Sequence, residues 1–362
     1  MGRKYKICFF SGDISKNGGT ERVATIIANG LAEKGHEVFF LSYKNGLVSH
    51  YLLNEKIELY SLNMQNYNGF LSRKIMPYKK LIDFFREHNA DIVVDIDILL
   101  SLYTLPIKKI IKVKVISWEH FNLFSNRIKT RVLARRLATL FSDKVVTLNK
   151  HDMANYLKIT PKGRKKNIKY IYNPAINNSP KTTNLMNKRV IAVGRLTYQK
   201  NFQLLIRLWK EVENSNPDWE LVIVGDGEEK FTLEELMKEL GVRNAKIIGF
   251  NDNIEKMYEE SSILVMTSRY EGLPMVLLEG QKKGLPIVAF NCPTGPSEIV
   301  LNERNGFLIN LENETYFIEC LDNLMNNFEL LKRFSKNAIN DSERFNKDQI
   351  IDKWIKLFNT LN

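Results

Sequence analysis

The sequence predicts an α/β protein made of two doubly wound halves that face a cleft. Three observations carry this. Short apolar runs alternate with amphipathic helical stretches, the pattern of strands buried between helices. The alternation breaks at NPAINNSPKTTNLMNKR, residues 173–189, a stretch rich in Asn, Pro, Ser and Thr, and then restarts. The length of 362 residues exceeds one ordinary core, so two domains accommodate it better. The expected domains are 1–177 and 178–340, with a C-terminal helix over 341–362.

Taken in order, YKICFFSG at 5–12 reads as a buried strand ending in glycine. A turn and an amphipathic helix follow in SKNGGTERVATIIANGLAEKGHEV, and EVFFLSY at 37–43 is the next strand, completing a βαβ unit. ADIVVDI at 90–96, KVKVISWEH at 112–120 and KVVTLN at 144–149 repeat the strand pattern. Beyond the break, KRVIAVGRL, WELVIVGDG, AKIIGF, SSILVMTS, LPIVAF and GFLI are strands. Helical patterns lie among them and close the chain in QIIDKWIKLFNTL. Ligands of such sheets bind at the carboxyl ends of strands, so the strand-to-helix turns hold the candidate site residues.

Composition narrows the classes. Cys8, Cys292 and Cys320 are too far apart in sequence for a metal knuckle or a disulfide framework, which points to a reducing, cytoplasmic setting. No apolar run reaches membrane-span length, and the start of the chain has too few apolar residues for a signal peptide. Gly2 lacks the Ser or Thr that a myristoylation signal places at position 6. The net charge of +12 is uneven: residues 1–178 carry 30 Lys and Arg against 14 Asp and Glu, the remainder 23 against 27. That asymmetry calls for an anionic partner of the first half, whether nucleic acid, membrane surface or pyrophosphate. No recognisable RNA- or DNA-binding module is present. Two segments, 68–88 and 127–141, mix apolar and basic residues at helical spacing. Each reads equally as an interfacial helix or as a core-facing helix with a solvated basic face.

RYEGLPMVLLEG holds Glu271 in a turn and Glu279 inside the following helix, with Pro274 in the helix's first turn. Backbone N–H groups around Gly272, Leu273 and Met275 suit a phosphate, and a carboxylate at 279 suits the two hydroxyls of a ribose. Alone, the two glutamates are equally an ordinary loop charge and a solvated helix residue. VIAVGRLTYQKN places Gly194 and Arg195 at a strand's end and Lys200 before a helix, two cations able to meet a diphosphate. Gly18 and Gly19 open the first helix, where Thr20 can help to cap it. His120 ends a strand and can face a sugar or pack against backbone. Two motifs are discounted: the DID at 95–97 is set among apolar residues, and the GDG at 225–227 lacks the G-x-G-x-x-G spacing and marks a tight turn.

Together these motifs, with NCPTGPSEIVLNERNGFLI at 291–309, resemble the family 4 retaining glycosyltransferases of the GT-B fold, in particular those that build bacterial surface polysaccharides and lipid-linked oligosaccharides. The resemblance covers nearly the whole chain. It implies two Rossmann-like domains and transfer of a hexose or N-acetylhexosamine from a nucleotide sugar, UDP-linked, to a saccharide acceptor on a lipid pyrophosphate. It assigns Arg195 and Lys200 to the leaving diphosphate, Glu271 to the transferred sugar and Glu279 to the ribose. It places Gly18, Gly19 and Gly194 with Gly272, Leu273, Pro274 and Met275 along the donor, Phe250 at the base, and His120 across from the sugar. Asn173 and Pro174 match the lead into the linker, and the last helices, with Trp354, are expected to return to the first domain. Asn149 departs from the serine of many relatives. No metal or other cofactor is implied, and a peripheral place at the inner face of the plasma membrane is. A nucleotide-sugar epimerase of the same architecture and a non-catalytic partner subunit are the alternatives.

Overall fold

The computed structural model describes residues 3–67, 70–125, 128–176, 179–251 and 253–361. Gly2 and the junction read at 177/178 lie outside them, as do the first residues, 68 and 127, of the two mixed apolar-basic segments. The chain divides into two compact units, Met1–Asn173 with Lys347–Asn362, and Pro174–Asn346. The change of unit therefore falls between Asn173 and Pro174. Proline fixes φ and holds the preceding residue extended, which suits a connecting segment.

Unit 1 runs β1 (Lys6–Ser11), α1 (Gly19–Glu33), β2 (Glu37–Ser42), β3 (Glu58–Ser61), α2 (Phe70–His88), β4 (Ile92–Asp95), α3 (Ser101–Ile111), β5 (Lys114–Trp118), α4 (Lys129–Phe141), β6 (Lys144–Thr147), α5 (Lys150–Ile159) and β7 (Ile168–Tyr170). All paired strands are parallel, in the order β3-β2-β1-β4-β5-β6-β7. The middle strands are apolar at nearly every position because helices cover both faces.

Unit 2 runs β8 (Arg189–Val193), α6 (Phe202–Ser215), β9 (Glu220–Val224), α7 (Lys230–Glu239), β10 (Ala245–Ile248), α8 (Ile254–Glu259), β11 (Ile263–Met266), α9 (Met275–Lys282), β12 (Ile287–Phe290), α10 (Pro296–Ile299), β13 (Gly306–Ile309), α11 (Glu314–Asn326) and α12 (Phe328–Ser342). Its sheet is also parallel, ordered β10-β9-β8-β11-β12-β13. Its core packs Trp209, Phe290, Phe317 and Phe334, all essentially without solvent contact.

The last helix, α13 (Lys347–Phe358), belongs to unit 1 and packs on α1. Gly30 of α1 makes this approach possible, since a Cβ there would stand 2.6 Å from the Ile351 side chain. Trp354 packs edge-on against Trp118 at 4.9 Å between ring centroids, and Tyr5 O–H donates to Asn359 Oδ1 at 3.1 Å. This terminal stretch starts at Lys347 rather than at 341. The reason is local: α12 continues to Ser342, and Phe345 is fully buried within unit 2.

In each sheet the chain winds outward from a central strand to one edge and then resumes on that strand's other side. The winding reverses between β1 and β4 in unit 1 and between β8 and β11 in unit 2. At such a switch point adjacent loops part at the carboxyl ends of the strands and leave room for a ligand.

Candidate active site

In unit 2 the loops that leave β8, β11 and β12, three neighbouring strands, converge at the switch point. The β8 and β11 loops are stitched together. Thr267 Oγ1 donates to the carbonyls of Lys200 and Asn201 at 3.1 and 3.2 Å. Arg269 donates to Asn201 Oδ1 at 2.6 Å and to the Tyr198 carbonyl at 3.2 Å, and its guanidinium lies 4.3 Å over the Tyr198 ring. Gln199 closes the seam on the Tyr270 carbonyl at 2.9 Å. Asn201 takes the left-handed conformation at φ 56°, which Asn tolerates better than most residues.

That seam brings two of the sequence-derived residues into contact. Lys200 Nζ stands 2.7 Å from Glu271 Oε1, and both side chains are largely buried, 16% and 8% exposed. The lysine stem passes over Gly194, where a Cβ would lie 3.0 Å from Lys200 Cε. Arg195, one residue on, is exposed, and no ion pair or side-chain hydrogen bond ties it among the described residues. The cation pair thus divides into a fixed lysine and a free guanidinium. The β9 loop lies directly on this turn: at Gly225, φ 153°, a Cβ would sit 1.9 Å from the Gly194 carbonyl oxygen. The GDG motif is glycine-rich because it touches Gly194.

From the other side, the β12 loop supports Glu271. Thr294 O–H donates to the Glu271 carbonyl, and Gly295 comes so close to Gly272 that a Cβ would be 2.8 Å from its carbonyl oxygen. Cys292 is buried beside the pair. Burial and the Glu271 carboxylate push its thiol up to about 12, against the pull of Lys200, so it stays protonated. Pro274 is the N-cap residue of α9 and Met275 its first residue, so the proline sits one position earlier than the sequence reading placed it. Glu279 lies one turn into α9, 6% exposed, and accepts from Tyr258 O–H at 3.1 Å. Leu273 is buried, while Gly272 and Met275 are half-exposed. Phe250, 63% exposed, follows β10 on the same sheet edge, separated from β8 by β9.

In unit 1 the corresponding edge carries carboxylates. Gly18 is the extended N-cap residue of α1, and no side chain caps that helix, so Thr20 does not. The Glu21 carboxylate instead folds back over Gly18, where a Cβ would be 2.2 Å from Glu21 Oε2. Burial, with Asp97 and Asp13 nearby, raises the Glu21 pKa. His120 follows β5. Its Nε2 is buried without a partner among the described residues. Burial lowers its pKa to about 4, Asp97 opposing and Arg131 assisting, so the ring is neutral at pH 7.

The loop that holds His120 is pinned from α4. Glu119, 1% exposed, accepts from Arg135 Nε at 2.7 Å, Arg131 Nη1 at 3.3 Å and Tyr156 O–H at 2.7 Å. Arg135 also donates to the carbonyls of Leu123, Ser125 and Asn122. Arg131 reaches Asp97 at 2.9 Å. This corrects the reading of 127–141 as a helix with a solvated basic face: Arg131 and Arg135 point inward. The DID motif is likewise structural. Asp95 is fully buried, accepting from Ser101 and Thr104 at 2.8 and 2.7 Å, and Asp97 pairs with Arg131.

Comparison with known proteins decides the family. The model for "Glycosyltransferase Family 4" matches residues 17–175, and that for "Glycosyl transferases group 1" matches residues 176–341. An uncharacterized glycosyltransferase of Haemophilus influenzae is 35% identical over 96% of this chain and 98% of its own. The amylovoran biosynthesis glycosyltransferase AmsD of Erwinia amylovora is 32% identical over 98% and 100%. The chain belongs to the family 4, group 1 glycosyltransferases. Its fold is GT-B, shared with Anabaena HepE in complex with UDP and glucose (TM-score 0.82, 19% identity, 98% and 100% covered). The lipopolysaccharide outer core galactosyltransferase WaaB matches at TM-score 0.78 and 20% identity over 98% and 99%.

Several groups of this glycosyltransferase were not singled out from sequence. Arg269, Asn201 and Thr294 stand inside the quoted stretches and brace the loops there, while Tyr258 lies in none of them. Glu119 stood beside His120 in SWEH, and a charged residue at the end of an apolar strand is the one signal that marks it. A groove of about 850 Å³ at the opposite, amino edge of the glycosyltransferase's second sheet is lined by Arg189, Glu220, Lys246 and Glu260. These already pair with one another.

Proposed function

We propose that this glycosyltransferase moves a hexose or N-acetylhexosamine from a UDP-sugar to a saccharide carried on a lipid pyrophosphate, with retention of configuration and without a metal. It would do so at the inner face of the plasma membrane, in surface polysaccharide or oligosaccharide assembly. The observation that carries the proposal is the buried Lys200–Glu271 pair at the switch point, with the unpaired guanidinium of Arg195 on the same turn. Breaking a sugar–diphosphate bond builds negative charge on the leaving phosphate. A lysine already fixed by one carboxylate still has two N–H donors to offer it, and fixed donors stabilise that charge without reorganising. Arg195 adds a planar fork, and the α9 N-terminus adds its dipole.

The carboxylates have other tasks in this reading. Glu279, steadied by Tyr258, takes the ribose hydroxyls. Glu271, neutralised by Lys200, orients the transferred sugar. Neither is then available as a nucleophile, so this reading does not pass through double displacement. Same-face attack follows, with the departing phosphate receiving the acceptor's proton. Neutral His120 donates or accepts a hydrogen bond at the sugar. AmsD is named for amylovoran biosynthesis, and a Campylobacter jejuni relative 24% identical over 97% of this chain is named for transfer to a PP-undecaprenol acceptor; both names favour this substrate class.

The test is a thermal-shift panel of UDP-, GDP- and ADP-sugars, followed by product analysis with a short lipid-pyrophosphate saccharide. Stabilisation by a UDP-sugar and an α-linked product from an α-linked donor are expected. Nucleotide release that needs no acceptor and leaves an epimerised sugar would replace the transferase with an epimerase.

A further inference from the structure

Helix α4 is inside out. Its inward positions hold Arg131, Ala134, Arg135, Ala138 and Thr139, all buried. Its large apolar side chains face outward at helical spacings of three and four: Leu133 is 51% exposed, Leu140 41% and Phe141 56%, with Leu137 half-buried between them. The cause lies in the ion network. Glu119 and Asp97 need both guanidinium groups inside, so the helix turns its leucines to the surface. A surface helix ordinarily buries its apolar stripe, and leaving this one half in water forfeits part of that stabilisation.

The neighbouring helix extends the face. α3 packs against α4, and their carboxyl ends are tied by Lys108 Nζ donating to the Phe141 carbonyl at 3.0 Å. Ile110 of α3 is 53% exposed. Neither helix contains an aspartate or glutamate. Lys109, Lys112, Lys129 and Arg136 are exposed along the two helices and their ends. The nearest acidic side chains are engaged: Asp143 by Lys108, Asp97 by Arg131 and Glu119 by both arginines.

We propose that the α3–α4 face docks on an anionic lipid bilayer, with Leu133, Leu140, Phe141 and Ile110 entering the acyl boundary and the flanking cations meeting lipid phosphates. A second copy of this chain would bring two basic faces together, which charge opposes, whereas a bilayer supplies both the apolar phase and the negative charge. The face includes much of the mixed segment 127–141 but not its Arg131 and Arg135, which are spent inside. The purpose of docking, access to a lipid-linked acceptor, rests on the function proposed above; the docking itself does not.

The experiment is co-sedimentation of the full chain with vesicles of phosphatidylglycerol and phosphatidylcholine, or of phosphatidylcholine alone, at low and high salt. The expected result is binding to the anionic vesicles at low salt, weakened at high salt. Leu133→Ser/Leu140→Ser should lower it about tenfold or more. Lys129→Gln/Arg136→Gln should also lower it, by about thirtyfold, from roughly 1 kcal/mol per cation. A thermal melt and circular-dichroism spectrum equal to wild type would show that each variant is folded. Equal binding to neutral vesicles, or variants that bind as wild type does, would overturn the proposal. So would a wild-type dimer that the leucine variant dissolves and that ignores vesicles, which would assign the face to a second copy. Vesicle binding without sugar transfer would leave the docking face standing and remove the proposed reaction. Transfer to a soluble acceptor analogue without vesicle binding would do the reverse.

Discussion

Lys200 and Glu271, seventy-one positions apart in sequence, meet at 2.7 Å on adjacent loops of one sheet edge, and neither is open enough to water to stand alone. Removing one partner of a largely buried pair strands the other's charge, at a cost of about 3–5 kcal/mol. Lys200→Ala should therefore both melt earlier and lose turnover by about 100-fold or more. The double variant Lys200→Ala/Glu271→Gln separates these effects. Its melting temperature should return most of the way to wild type while turnover stays low. Recovery of activity along with stability would mean that the lysine only supports the fold.

Glu279 offers a cleaner binding test. Its carboxylate accepts from Tyr258 O–H at 3.1 Å, and the two oxygens of a carboxylate together offer about four acceptor sites, enough to serve a diol as well. Glu279→Ala should weaken UDP by about tenfold or more in titration calorimetry, since hydrogen bonds to a charged group contribute about 1.5–3 kcal/mol. Tyr258→Phe should cost much less in affinity. Equal UDP affinity in Glu279→Ala and wild type would remove the ribose assignment.

The loop bearing His120 depends on Glu119. Glu119→Leu alone leaves Arg131 and Arg135 buried without their shared counter-ion and should destabilise unit 1 by about 3–5 kcal/mol. Glu119→Leu/Arg135→Met should recover part of that loss in urea denaturation. The recovered protein should still be cut faster by protease across Asn122–Ser125, because three carbonyls have lost the guanidinium that held them.

Asp95 makes unit 1 sensitive to alkali. Burial raises its pKa from 3.8 to about 7, with Thr104 and Ser101 pulling the other way, and its Oδ1 has no partner. A carboxyl whose folded pKa is raised supports the fold below its unfolded value, and that contribution is lost as pH rises through the folded one. At about 1.4 kcal/mol per pKa unit the whole effect is at most about 4 kcal/mol. Asp95→Asn should match wild type near pH 4 and exceed it increasingly toward pH 8. Parallel urea midpoints over that range would contradict the burial of an ionisable group at this position.

What the sequence disclosed follows from length scale. The central strands announced themselves because both faces are buried and every position is apolar. The edge strands of the first sheet did not: β3 has no buried position, and β7 has only three residues. Gly194, Lys200, Glu271 and Glu279 were legible as candidates because each lies in or just after a strand-to-helix turn. Tyr258 and Thr294 were not, since each acts across a gap in sequence that no short motif spans. The orientation of α4 was hidden for a further reason. Periodicity shows that a helix has two faces, but only the buried Glu119 and Asp97 determine which one turns inward.

The return of α13 to unit 1 has a consequence for biosynthesis. Residues up to Asn173 leave the ribosome long before Lys347–Phe358 exists, so Trp118 and the Gly30 surface of α1 wait uncovered while unit 2 is translated. Unit 1 is thus completed after unit 2, and a chain released at residue 346 would carry a whole second unit and an open first one. Chaperone engagement should persist on unit 1 until Lys347–Phe358 has emerged, and a stop codon that removes this helix should harm unit 1 more than unit 2.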